Sequence, residues 1–145
     1  MVDVNGQDII KGIIKALNNE FGKNYTYYIN DIPQGFEEPS FYVRLLDSNF
    51  NLICANRYLR KNIFIIRYFP KSELEPQQEI NAILDRLYPT LEYIYMGKDL
   101  IRGTNMEANI VDNILHLQIH YDFFVIRPIQ RGPLMQKLIQ KQKVK

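Results

Sequence analysis

One cysteine, two histidines, seven glycines and no tryptophan leave this chain few of the devices on which small proteins build chemistry. The lone Cys54 cannot close an internal disulfide, so the fold must stand on its apolar core, and an unpaired thiol fits a reducing compartment. The glycines fall into neither a G-x-G-x-x-G nor a P-loop spacing, which removes the phosphate-cradling loops of nucleotide enzymes. No apolar run approaches the ~18 residues that cross a bilayer, so no membrane partner is expected. The start, Met1-Val2-Asp3-Val4-Asn5-Gly6, has neither a basic segment nor an apolar core. The expectation is a chain that stays in the cytoplasm where it is made. Asn24-Tyr25-Thr26 matches the glycosylation pattern, which carries no meaning without secretion.

What remains is an ordinary globular composition: 145 residues, 46% apolar and 23% charged. A chain of this length forms one domain and buries roughly 70% of its unfolded surface. Residues 1–122 hold 12 Lys/Arg against 16 Asp/Glu, a net charge of −4. From residue 123 onward Arg127, Arg131, Lys137, Lys141, Lys143 and Lys145 stand with no acid, a net charge of +6. The expected organisation is a single domain over 1–128, followed over 129–145 by a basic tail or short helix. Such a tail suits loose nucleic-acid contact, docking on the acidic body of a neighbouring copy, or plain solvation of a frayed end.

Periodicity places the elements. Ile9, Ile10, Ile13, Ile14, Leu17 and Phe21 form one stripe at helical spacing, which predicts a helix from about Gln7 to Phe21 stopped by Gly22. Tyr25–Asn30 reads as a strand, Asp31–Pro39 as a turn-rich connection. Ser40–Leu46 and Phe50–Ile53 read as two strand pieces joined by Asp47-Ser48-Asn49. Tyr58–Phe69 is a long strand, and its doubled apolar stretch Ile63-Phe64-Ile65-Ile66 predicts a central position covered on both sides. A second helix is expected from Glu75 or Pro76 to about Tyr88, with Pro89 ending it or bending its last turn. Then follow Tyr93–Met96, a Gly97-Lys98 turn, a strand over about Leu100–Val111 and a tight Asp112-Asn113 turn. Two amphipathic helices beside hairpin-linked strands predict an α+β fold with a mainly antiparallel sheet.

The strand after that turn alternates strictly. Leu115, Leu117, Ile119, Tyr121 and Phe123 must face a core, while His116, Gln118, His120 and Asp122 face away. A metal enzyme built on His116, His120 and Asp122 meets a geometric objection. On an extended strand His116 and His120 are about 13 Å apart and cannot chelate one ion, and the chain has no third histidine. The adopted reading is an assembly or solvent-facing surface, with no metal and no cofactor. Ten tyrosines and eight phenylalanines are more rings than two helices can cover, and tyrosine-rich surfaces are enriched at subunit interfaces. The bases among aromatics in Tyr58-Leu59-Arg60-Lys61-Asn62 form no recognition motif, so only non-specific, charge-driven contact with DNA is expected.

Four phrases in order resemble the tail terminator proteins of tailed phages, prophages and phage-tail-like particles. They are Pro33-Gln34-Gly35-Phe36-Glu37-Glu38-Pro39-Ser40-Phe41; Asn56-Arg57-Tyr58-Leu59-Arg60 running on to Tyr68-Phe69-Pro70; Asp99-Leu100-Ile101-Arg102-Gly103-Thr104 with Ile110–His116; and the closing Tyr121-Asp122-Phe123. The resemblance spans about residues 7–127. It implies a small α+β protein without enzymatic activity or cofactor that assembles with itself as a ring, typically a hexamer, at the head-proximal end of the tail. The ring stops polymerisation of the tail tube protein, offers the surface where the head-side connector or stopper docks, and in contractile tails meets the tail sheath. The implied location is the virion neck, after assembly in the bacterial cytoplasm.

Rings close through heterologous contacts, one surface of each copy meeting a different surface of the next. The candidate interface residues are His116, Gln118 and His120 on the polar strand face, Arg57 and Arg60 at the start of the long strand, and the connection Gln34, Gly35, Phe36, Glu37 and Glu38. That connection reads equally as a docking loop or a plain surface turn. Competing readings are another neck component (a head–tail connector or tail-completion protein), the small metal enzyme, and a nucleic-acid module built on the tail.

Overall fold

The computed structural model describes residues 5–128; the expected basic tail over 129–145 lies outside them. Helix α1 (Gly6–Phe21) starts at Asn5, whose side chain accepts the Asp8 N–H at 2.9 Å while the Asp8 carboxylate accepts the Asn5 N–H at 3.4 Å. This reciprocal pair satisfies two of the donors that every helix start leaves open. Gly22 ends the helix at φ 85°. Helix α2 (Pro76–Glu92) opens on a proline and runs through Pro89 to Glu92, four residues beyond the expected end. Leu87 and Leu91 on either side of Pro89 are fully buried, so packing holds the last turn that the proline alone would break.

Among the described residues seven strands form one sheet: β1 (Thr26–Ile29), β2 (Ser40–Cys54), β3 (Arg57–Phe69), β4 (Tyr93–Met96), β5 (Asp99–Val111), β6 (Ile114–Tyr121) and β7 (Phe123–Ile126). Their order is β1-β2-β3-β6-β5-β4, with β7 beside the start of β3. Only β1 and β2 pair in parallel; the other pairs are antiparallel. The fold is therefore α+β with a mainly antiparallel sheet, as the periodicity predicts. The tight Asp112-Asn113 turn also holds, with φ 52° and 60°.

Two strand expectations change. The two pieces around Asp47-Ser48-Asn49 are one continuous β2, its register slipping by one residue between Leu45 and Asp47. Asp47 accepts the Ser48 N–H, and the Ser48 hydroxyl donates to Asn62 on β3, so residues with turn chemistry make a bulge instead. The alternating strand after Asn113 divides at Asp122 into β6 and β7.

Both helices cover one face of the sheet. Beneath them lie Phe41 and Val43 of β2, Phe64, Ile66 and Tyr68 of β3, and Leu115, Leu117, Ile119 and Tyr121 of β6, all essentially buried. The odd residues of the alternating strand thus face the core as predicted. The Tyr121 hydroxyl donates to the Leu91 carbonyl at 2.6 Å, pinning α2 to the sheet. Gly12 lets α1 lie directly on β4, since a Cβ there would sit 2.5 Å from the Tyr95 carbonyl oxygen.

Candidate functional site

Strand parity and register decide what lies on the face that no described helix covers. On β3 the residues Arg57, Leu59, Lys61, Ile63, Ile65, Arg67 and Phe69 point to it. Their partners complete three rows across the middle of the sheet: Tyr42, Arg67, His116 and Asn109; Arg44, Ile65, Gln118 and Glu107; Asp47, Ile63, His120 and Thr104. His116, Gln118 and His120 do sit together on the open face, each half-buried. Ile65 is only 6% exposed, though no described helix lies above it. Its neighbours in the row are Arg44 and Gln118, and both described helices lie on the other face.

The electrostatics of this face are basic at its centre. Arg67 lies 5.4 Å over the Tyr42 ring and beside His116. Burial and then the Arg67 charge hold the His116 imidazole below its usual pKa, so at neutral pH it presents a neutral ring. Asp122 does not turn outward with the histidines, because its carboxylate accepts the Asn62 N–H at 3.1 Å. Among the described residues no three His, Cys, Asp or Glu side chains converge on a point that could hold a metal ion. The metal-enzyme reading of His116, His120 and Asp122 finds no support in this geometry.

The Gln34–Glu38 connection closes one end of the open face. Phe36 packs on Phe69 at 4.7 Å and edge-on to Tyr28, whose hydroxyl accepts the Glu37 N–H at 3.0 Å. Phe36 is thereby an anchor, while Gln34, Gly35, Glu37 and Glu38 are exposed. Between this loop and the start of α2 lies a cavity of about 360 Å³ with Phe36, Phe69 and Pro70 as apolar lining and Glu38, Glu73 and Asp112 as acids.

The opposite end is a ribbon. Beyond the Asp47 bulge, β2 pairs only with β3, and β3 is flanked on its other side by β7. Phe50, Leu52, Ile53, Phe124 and Ile126 are all 45% exposed or more on it. Arg57 and Arg60, both candidate interface residues, project from opposite faces of β3. Arg57 stands 4.3 Å over the Phe124 ring on the open side. Arg60 lies 5.7 Å from Phe123 on the other side, with its Nε bonded to Asn62 at 2.9 Å.

Asn62, which the sequence reading passed over, joins ribbon to body. It is fully buried. Its amide nitrogen donates to the Tyr121 carbonyl, and its oxygen accepts from the Ser48 hydroxyl and Arg60 Nε, all at 2.9 Å. Its own N–H goes to Asp122. Two side chains thus replace one rung of the main-chain ladder where β6 gives way to β7. The available signal was an asparagine at the parity that continues as Phe64, Ile66 and Tyr68, the core-facing side of the strand.

A family model described as "Phage tail terminator protein" matches residues 8–133. No curated protein matches the chain. The fold is shared with a chain of the solved structure titled "Virion of native gene transfer agent (GTA) particle", at 11% identity and a TM-score of 0.51, over 81% of this chain and 93% of that one. A second solved chain aligns at 12% identity and a TM-score of 0.42 over 89% of this chain and 100% of that one. Among the described residues no helix is long and apolar enough to cross a membrane. The chain belongs to the phage tail terminator family and is a structural component of a phage tail.

Proposed function

We propose that this terminator-family protein caps the head-proximal end of the tail tube as a ring of identical copies, stopping tube polymerisation and forming the surface on which the head docks. The observation that carries the reading is the family match, which runs through the whole described body. A sheet whose described helices both lie on one side, and whose other face ends in an exposed apolar ribbon, supports the reading. Contiguous apolar surface of this kind marks a contact in the assembled state.

A tube cap must bind the last tube subunits on one side and refuse further ones on the other. The open face, with polar rows that are basic at the centre around Arg67 and include Asp47 and Glu107, is the side assigned to neighbours, whether ring copies or tube protein. The helix-covered side supplies rigidity. No catalytic residue, metal or cofactor takes part in this reading. Six copies is the number that the family implies. The head-side connector or stopper, and in a contractile tail the sheath, are the further contacts.

The test is electron microscopy of particles made when the gene is deleted from the phage or prophage that encodes it. Overlong tails of irregular length beside unjoined heads are expected. Tails of normal length with unjoined heads would overturn termination and reassign the protein to head completion.

A further inference from the structure

We infer that the ribbon tip of one copy seats in the acidic cavity of the next, so that the ring closes through an arm-in-pocket contact between opposite ends of β3. The inference rests on the ring reading and adds which surfaces meet. The two surfaces lie at the two ends of one strand: Arg57 begins β3 at the tip, and Phe69 ends it in the cavity. Thirteen strand residues separate them by about 40 Å. Surfaces placed at opposite ends of a subunit make head-to-tail contacts, the kind from which rings are generated.

Their chemistry is complementary. From Ser48 through Asn62 the ribbon has no acid and carries Arg57, Arg60 and Lys61, and over residues 123–128 it adds Arg127, again with no acid. Leu52 and Ile53 are more than half exposed at the turn itself. The cavity sets Phe36, Phe69 and Pro70 among Glu38, Glu73 and Asp112, with Lys71 as its one base. An apolar tip ringed by cations thus faces an apolar floor ringed by carboxylates. Cavity against cavity would oppose acid to acid, and tip against tip would oppose arginine to arginine, so the charges disfavour both two-fold arrangements.

Cys54, the chain's single cysteine, lies exposed at the tip and supplies the probe. Purified wild-type chain and Glu73→Cys are treated with a mild oxidant, and both are run on non-reducing gels beside native mass spectrometry. The expected result is a ladder of covalent multimers for Glu73→Cys, none for wild type, and none when Cys54→Ser is added. Charge reversal at Arg57 (Arg57→Glu) should weaken assembly by about tenfold, and Glu73→Arg in the same chain should restore part of it. Disulfide dimers in wild type would show that tips meet tips and overturn the inference. A Glu73→Cys chain that assembles by mass yet gives no ladder would overturn it while leaving the ring intact. A chain that is monomeric by mass and gives no ladder would count against both.

Discussion

Strand β3 runs through two environments, and its halves differ in what holds them. From Ile63 to Phe69 it has β2 on one side and β6 on the other, and Phe64, Ile66 and Tyr68 lie under two helices. From Arg57 to Lys61 it has β2 and the four-residue β7, with no described helix above and large apolar side chains exposed. The body half is stable because burial repays the ordering of its side chains at ~25 cal/mol per Å². The ribbon half has its main chain paired but little apolar area removed from water. A sequence that keeps Phe50, Leu52, Ile53 and Phe124 exposed accepts a solubility cost, which the proposed ring contact would offset.

Two leucines put that difference to the sharpest test. Leu117 is fully buried in the body and Leu52 is 58% exposed on the ribbon. Leu117→Ala should lower unfolding free energy by about 2–5 kcal/mol, the range for core truncations that leave a cavity. Leu52→Ala should change it by no more than about 0.5 kcal/mol. Denaturant melts of the isolated chain check both, and a Leu52→Ala cost near that of Leu117→Ala would show the ribbon to be part of the core.

At the junction, Asn62→Ala should cost about 2–4 kcal/mol. It removes three side-chain hydrogen bonds and strands the buried Tyr121 carbonyl. The sharper readout is hydrogen exchange. Amides of β7 and of the first half of β3 should lose protection before those of β6, because the pivot that couples them is gone. Equal loss throughout would mean that ribbon and body unfold as one unit.

The body has its own polar clamp, remote from the ribbon. Glu79 accepts from the Tyr68 hydroxyl and from the N–H groups of Lys71 and Ser72, fixing the loop before α2. Burial opposes the charge, but these three donors outweigh it and hold the carboxyl below its usual pKa. A carboxylate lowered in the folded state contributes stability that is fully present above the unfolded value and is lost as pH falls through the folded one. Glu79→Gln should therefore cost about 1–2 kcal/mol at neutral pH. The difference from wild type should shrink as the pH falls below the usual carboxylate range. A pH-independent difference would assign the loss to packing.

Periodicity made much of this legible. The Ile9–Phe21 stripe, the alternation from Leu115 to Tyr121 and the Asp112-Asn113 turn each read correctly because one buried face or one φ requirement dictates the pattern. What escaped depends on non-local contacts. Asp47-Ser48-Asn49 has the chemistry of a turn, and only its pairing with Asn62 and Ile63 makes it a bulge. Pro89 looks like a stop until Leu91 is seen buried beyond it. The parallel pairing of β1 leaves no mark in Thr26–Ile29 itself. Of the candidate surface, the polar strand face was visible in the sequence. That the Phe36 loop and Arg57 lie at the two ends of that same face, while Arg60 lies behind it, required the register.

The smallest effect concerns the ribbon turn and isolates its shape from its chemistry. Ala55 sits at φ 48°, in the left-handed region that costs an L-residue roughly 1–2 kcal/mol. Glycine removes that cost but adds unfolded-state entropy of about 0.5–1 kcal/mol. Ala55→Gly should thus stabilise the isolated chain by no more than about 0.5–1 kcal/mol. Since Ala55 separates Cys54 from Asn56 at the tip, the same change also loosens the arm that the proposed ring contact uses. Greater stability of the monomer combined with weaker assembly is the expected pair of outcomes, read by thermal melting and native mass spectrometry on one preparation. If assembly rose together with stability, the turn would be a passive connection, and the exposed ribbon flanks, Phe50 and Phe124, would carry the contact without it.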